Sequence, residues 1–483
     1  MLNRRALGYA LAAAALGCGF AGSAFAAGSS TFAATLARLG LAEYEVGFIL
    51  ADAESGNILE QQSADRLFVP ASVTKLPIAY AAVKILGADY RFSTTLLRRG
   101  DDIYLRGGGD PVLTANDLQM LVRQWQANRT GGKSGRFFFD DTLIPALQEV
   151  SASQPIATPY NAGFGALNVD FNRVEVVWST TNAALVFQAR SIADGLILPC
   201  DWVTFAPAQE ALPRGAPFIP AAGTVLDSWQ YAPWLPAHGN TFLPVRMTSL
   251  QTALVFRQLA LAAGIGLPAP EAGHVPANAV EIARVNSPQL PEILGGLLRY
   301  SNNMEAELIG LAASRKLTGQ SLSLSQSSAA LSQWLTRQAP GTDWRGFHLE
   351  NHSGLSPANR VSPRQMLAVL RLIAAEPAML AVLPPREGDG DIADPPGAPK
   401  LGPRSITGKT GTMDYARGLA GFFPARDGRR LAFAIFVFDA GRRAALDIAM
   451  DRRVLDSPPA AIAWTRRAKV LDDALLKAWM KKY

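Results

Sequence analysis

A chain of 483 residues with 49% hydrophobic and 18% charged side chains has apolar material for two or three packed cores and is too hydrophobic to be intrinsically disordered. Its net charge of +6 is not gathered into a Lys/Arg block interleaved with aromatics, which argues against a nucleic-acid partner. A mild positive excess fits an anionic wall polymer or membrane surface better.

The first segment reads as a targeting signal. Arg4 and Arg5 precede an apolar run from Ala6 to about Phe20, and Ala24-Phe25-Ala26 supplies small residues for a peptidase, so a signal peptide over 1–26 and cleavage before Ala27 are expected. The run is shorter than the roughly 20 residues that a spanning helix needs. The Arg pair is compatible with twin-arginine export, and Ala15-Leu16-Gly17-Cys18 is a partial lipidation box with Ala where Leu is usual. After cleavage Cys200 alone remains. It cannot form an internal disulfide and reads as a small buried hydrophobe.

Glu45 to Leu50 reads as a strand ended by Ser55-Gly56. A helix near Ser72 follows, with Leu76, Ala79, Tyr80, Val83 and Leu86 on its buried face. From 91 to 285 the runs are short and strand-like, such as Ile103-Tyr104-Leu105 and Arg136 to Phe139, and turns are frequent. The Gly107–Pro111 stretch lacks the Lys-Ser/Thr of a phosphate loop and reads as a turn. Val174, Val176 and Trp178 alternate within a Pro- and Trp-rich β stretch. Helical spacing returns at 293–298, 304–313 and 366–375. Residues 381–404 read as a long loop, and strands are expected at 405–407, 420–423 and 431–438. The last stretch, Trp464 to Tyr483, is basic and amphipathic through Val470, Leu471, Ala474, Leu475 and Ala478. It reads as a helix docked on the sheet, or as a membrane-surface helix. The texture predicts an α/β domain over 27–90 and 286–483, split by an insertion at 91–171 and 244–285 that carries a small β subdomain at 172–243.

Three short motifs carry chemistry. Ser72 and Lys75 lie one turn apart at a helix start, so the amine can take the hydroxyl proton if burial or a second cation lowers its pKa. Ser301-Asn302-Asn303 precedes an apolar helix and by itself reads as a cap. Lys409-Thr410-Gly411-Thr412 lies between strands. It reads as a turn, or as an edge where an extended peptide adds, with Gly411 allowing close approach and the cation and hydroxyls holding a carboxylate. Chance supplies each motif easily, but not all three in this order and setting. The four histidines are scattered without metal-ligand spacing and read as surface or loop residues, so no metal or cofactor is expected.

The set Ser-x-x-Lys, Ser-x-Asn, Lys-Thr-Gly resembles that of serine β-lactamases and penicillin-binding proteins. Outside it, RGGGDPVLTANDL from Arg106, FFFDDTLI from Phe137, YNAGFGALNVDFN from Tyr160, SNNMEAELI from Ser301, SGLSPANRVSP from Ser353 and TGKTGTMDYARGLAGF from Thr407 make nearly all of the mature chain similar to one group. That group is the class C penicillin-binding proteins, D-alanyl-D-alanine carboxypeptidases that often also act as endopeptidases. The resemblance implies a transpeptidase-type domain, an antiparallel sheet flanked by helices, with a large, mostly β insertion. It implies a periplasmic location, peptidoglycan stem peptides as substrate and β-lactams as covalent inhibitors. It implies that Ser72 attacks the carbonyl between two D-alanines, that Lys75 is the base and that Ser301 relays a proton to the leaving amine. Asn303 would bind substrate and Lys75, and Lys409 would keep the site positive. Thr410 and Thr412 would hold the terminal carboxylate, and the N–H groups of Ser72 and Thr412 would form the oxyanion hole.

Two departures stand out. Asn302 occupies the position of a common Asp. Asn351-His352-Ser353-Gly354-Leu355-Ser356-Pro357 stands where the family reads Asp-Gly-Ser-Gly-Leu-Ser-Arg, which leaves preference for a diaminopimelate side chain open, with Arg360 or Arg417 as substitutes. A β-lactamase or esterase is the alternative, against which the large insertion argues. An idle wall-binding protein is another, against which the intact Ser72, Lys75, Ser301, Asn303 and Lys409 argue.

Overall fold

Two apolar strands from opposite ends of the chain, Val46–Asp52 and Arg430–Phe438, pair antiparallel in a computed structural model that describes residues 29–128, 134–181, 184–223, 226–385 and 406–483. The expected signal peptide, Cys18 and most of the expected 381–404 loop lie outside these residues. The two strands form the middle of a five-stranded antiparallel sheet in the order Thr407–Met413, Ala416–Pro424, Arg430–Phe438, Val46–Asp52, Ile58–Gln62.

Strand periodicity divides this sheet between two cores. Leu431, Phe433, Ile435 and Val437 face the terminal helices Ser29–Leu39 and Pro459–Lys482, while Ala432, Ala434, Phe436 and Phe438 face Lys75–Leu86 and Pro363–Ala374. With both faces covered, the strands read as unbroken apolar runs. Each buried large side chain contributes about 1.5–3 kcal/mol. The C-terminal helix docks through Ala461, Trp464, Ala468, Leu471, Leu475, Leu476 and Trp479. Its apolar stripe is turned about the helix from the expected one: Ala478 is exposed, and the stripe is taken up by the sheet rather than by a membrane surface. No helix of the described residues is long and apolar enough to cross a membrane.

The chain leaves this core through Ser93–Arg99 and returns through Val280–Asn286, which pair with each other from Ser93↔Asn286 to Arg98↔Val280. They belong to a second sheet, ordered Pro270–Ala272, Phe137–Asp140, Asp102–Arg106, Ser93–Arg99, Val280–Asn286. Helices Ala115–Ala127 and Thr248–Ala262 pack on it. The sequence reading assigned no helix there, although the first carries its own signals. Thr114 and Asp117 form a reciprocal capping box, and Leu118, Leu121, Val122 and Trp125 follow at helical spacing.

Beyond this sheet, His238–Pro244, Arg173–Thr181, Ala184–Ala193 and Leu196–Pro199 make a four-stranded sheet, and Phe218–Pro220, Ser228–Tyr231 and Thr204–Pro207 a three-stranded one. Val174, Val176, Trp178, Cys200, Phe218 and Trp229 fill the space between them. Burial pushes the Cys200 thiol up to about 11, so it stays protonated.

Candidate active site

Ser72 sits on a short 3-10 turn, Ala71–Thr74, that feeds the helix Lys75–Leu86. The turn is strained and crowded. Ala71 has φ of 47°, a left-handed backbone that L side chains rarely adopt. A Cβ on Gly411 would lie 2.5 Å from the Pro70 carbonyl oxygen and 2.9 Å from the Ser72 nitrogen. Only glycine lets the strand Thr407–Met413 press against the Ser72 turn.

Lys75 is fully buried, and its ammonium has three directional donors. All three are used: Nζ donates to Ser72 Oγ at 2.9 Å, to Asn303 Oδ1 at 2.8 Å and to the Ser353 carbonyl at 2.8 Å. Burial, and after it the positive charge of Lys409, hold its pKa well below the ordinary lysine value, against the pull of Glu307 and Glu305. Once neutral, the amine keeps two donors for Asn303 and Ser353 and turns its lone pair to the hydroxyl that it touches, whose proton it can accept.

The middle motif occupies the joint between two helices. Ser301 ends Leu290–Tyr300 in the left-handed region with φ of 60°, and its N–H donates to the Leu297 carbonyl at 2.8 Å. Asn302 caps the helix Asn303–Thr318 by accepting from Glu305 N at 3.3 Å, so this motif includes a cap as well. Asn303, the first helical residue, donates through Nδ2 to the Tyr160 carbonyl at 3.0 Å while its oxygen faces Lys75.

The third motif lies on an edge strand. Lys409 is buried and donates to the Thr410 carbonyl at 2.9 Å; Thr410 is half-buried and Thr412 exposed. Arg417, on the neighbouring strand, donates to Thr412 Oγ1 at 3.1 Å and pairs at 2.7 Å with Asp472 of the C-terminal helix, both side chains fully enclosed. Arg360 turns back on its own loop, donating to the Pro357 carbonyl at 2.6 Å and the Asn359 carbonyl at 2.8 Å.

Several participants were not picked out from the sequence. The carbonyls of Tyr160 and Ser353 carry no side-chain signal. Glu305 and Glu307 stand inside an apolar helical run, where a charge is out of place; burial raises them to about 8 and about 7. His352 lies in a loop, as the sequence reading allowed, but it is fully enclosed rather than at the surface, with Nε2 at 2.8 Å from Ser327 Oγ, and burial lowers its pKa to about 3. Room for its ring comes from Gly310, whose Cβ would fall 2.2 Å from it.

The arrangement joins the Ser72 hydroxyl, a desolvated amine and the strand that is outermost in its sheet among the described residues. The sequence profile of the D-Ala-D-Ala carboxypeptidase 3 (S13) family matches residues 30–191 and 237–455. The chain is 28% identical over 440 residues to the D-alanyl-D-alanine carboxypeptidase of Actinomadura sp. (strain R39), covering 80% of this chain and 77% of that one. It is 24% identical over 430 residues to D-alanyl-D-alanine carboxypeptidase DacB of Haemophilus influenzae, covering 81% and 85%. The crystal structure of penicillin-binding protein 4 (dacB) from Haemophilus influenzae matches with a TM-score of 0.72 over 91% of this chain and 98% of that one at 19% identity. That likeness shows a shared fold.

Proposed function

Since the chain belongs to the D-Ala-D-Ala carboxypeptidase S13 family, we propose that it works as a serine D-Ala-D-Ala carboxypeptidase through a Ser72 acyl-enzyme. The observation that carries this reading is the 2.9 Å contact between Lys75 Nζ and Ser72 Oγ, made by an amine whose pKa is lowered. Lys75 takes the Ser72 proton as Oγ attacks the carbonyl carbon between the two D-alanines. The C–N bond breaks, and the proton passes through the Ser301 hydroxyl to the leaving amine. Water then attacks the ester and frees Ser72. Asn303 orients Lys75 and the substrate, and Lys409 keeps the amine from holding its proton. The strand 410–412 receives the substrate backbone and its terminal carboxylate, supported by the strand's outermost place in the sheet among the described residues and by Gly411.

β-lactams acylate the same serine. Cross-linked stem peptides are a second substrate of the same site, which makes the protein an endopeptidase as well. Export to the periplasm with cleavage before Ala27 belongs to this reading, as does the division into 27–90 with 286–483, 91–171 with 244–285, and 172–243. The pairing of Ser93–Arg99 with Val280–Asn286 supports that division. N-terminal sequencing of the mature protein checks the cleavage site.

The deciding experiment is labelling with a fluorescent penicillin. Wild type is expected to take up label and release it slowly, and Ser72→Ala to take up none. Equal labelling overturns the nucleophile, and fast release turns the assignment to a β-lactamase. Digestion of purified muropeptides then compares release of terminal D-Ala with cleavage of cross-links.

A further inference from the structure

We infer that Glu307 is a positioning residue: its carboxylate holds the His352–Ser353 main chain so that the Ser353 carbonyl fixes Lys75 against Ser72. This rests on the reading of Ser72 and Lys75 as nucleophile and base.

Glu307 lies four residues after Asn303 on the helix Asn303–Thr318, so both project from one helix face. Asn303 reaches Lys75 directly. Glu307 reaches it through the backbone. Its Oε2 accepts from His352 N at 2.9 Å and its Oε1 from Ser353 N at 3.0 Å, and the side chain is fully buried. One oxygen on each of two successive amides fixes the direction of that stretch of chain, and with it the Ser353 carbonyl, which accepts from Lys75 Nζ at 2.8 Å.

The same loop is pinned from its other side. Gly354, with φ of 82°, lies so close to the Ser72 turn that a Cβ would sit 1.9 Å from the Ala71 carbonyl oxygen. The loop is therefore wedged between the Glu307 carboxylate and the backbone beside the nucleophile. If the loop drifts, Lys75 loses one of its three acceptors, and a long, flexible side chain is no longer confined to the one rotamer that touches Ser72. Burial raises the Glu307 carboxyl, and the Ser353 hydroxyl, the two amides and the charge of Lys75 lower it.

The test uses full-length Glu307→Gln and Glu307→Asp with a fluorescent penicillin, in stopped flow that separates reversible binding from acylation. Gln sets an NH2 against one of two amide donors, so the acylation rate constant is expected to fall about a hundredfold while the binding constant stays within about threefold. Asp restores the charge and is expected to recover about a tenth of the wild-type rate. Near-UV circular dichroism checks packing. A folded Glu307→Gln that acylates within about threefold of wild type overturns the inference. So does a parallel fall in binding and acylation, or a failure of both variants to fold, which assigns Glu307 to stability alone. The underlying reading fails separately: if Ser72→Ala labels like wild type, the nucleophile is wrong whatever Glu307 does.

Discussion

The joint around Ser72 and the small β sheets of the insertion bury very different things. Around Ser72 the enclosed side chains include Lys75, Asn303, Glu305, Glu307, His352 and Lys409, with Arg417 and Asp472 beneath the next strand. Between the small sheets lie Val174, Val176, Trp178, Phe218 and Trp229, with Phe187 stacked on Phe205 at 4.6 Å. A desolvated charge costs stability unless it is paired and hydrogen-bonded, whereas buried aromatic area stabilises directly. The first region thus buries polar and charged groups at a cost in stability, and the second is stabilised by its apolar contacts.

Substitutions can break that contrast, and the largest effect is expected at Lys75. Lys75→Ala should lower penicillin acylation roughly a thousandfold or more. Its melting temperature should fall far less than loss of a buried residue usually implies, because a desolvated charge disappears with the side chain. A collapse in calorimetry would remove the contrast. The converse is Trp229→Ala in the small sheets. It should cost about 3–5 kcal/mol in denaturant unfolding, with the acylation rate per folded molecule unchanged.

Gly411→Ala tests the boundary between shape and chemistry. The new Cβ meets the Pro70 carbonyl at 2.5 Å, so the strand must retreat from the Ser72 turn. Acylation is expected to fall about tenfold to a hundredfold while the fold persists, read by stopped flow alongside circular dichroism.

Two pH measurements give smaller effects. His352 has a folded pKa of about 3, below that of an unfolded histidine, so the unfolded chain binds the extra proton. The contribution of His352 is intact above about pH 6.5 and is lost at about 1.4 kcal/mol per unit as pH falls toward 3. His352→Gln should remove that component from the pH dependence of unfolding. Finally, Lys409 lowers the pKa of Lys75. Lys409→Gln should therefore raise it and move the acid limb of the acylation profile to higher pH.

The Ser72, Ser301 and Lys409 motifs and the apolar runs of the central strands were legible because they are local. Residues three apart share a helix face and residues two apart share a strand face, whatever the rest of the chain does. The insertion was legible as a change of texture, although its helices at 115–127 and 248–262 went unmarked among short runs. The loop at His352 was legible from the neighbouring Ser and Gly, but its burial was not, because that depends on the missing side chain of Gly310, 42 positions earlier.

The sequence by itself thus determined the nucleophile motif, the family resemblance and the pattern of the central strands. Only the tertiary structure decided what surrounds Ser72 and Lys75. Lys75 meets a side-chain oxygen from Asn303 and a carbonyl from Ser353, 228 and 278 residues away. Such contacts leave no periodicity in the chain. The carbonyl is common to every residue, so its direction follows from how Glu307 and Gly354 fix the fold around it.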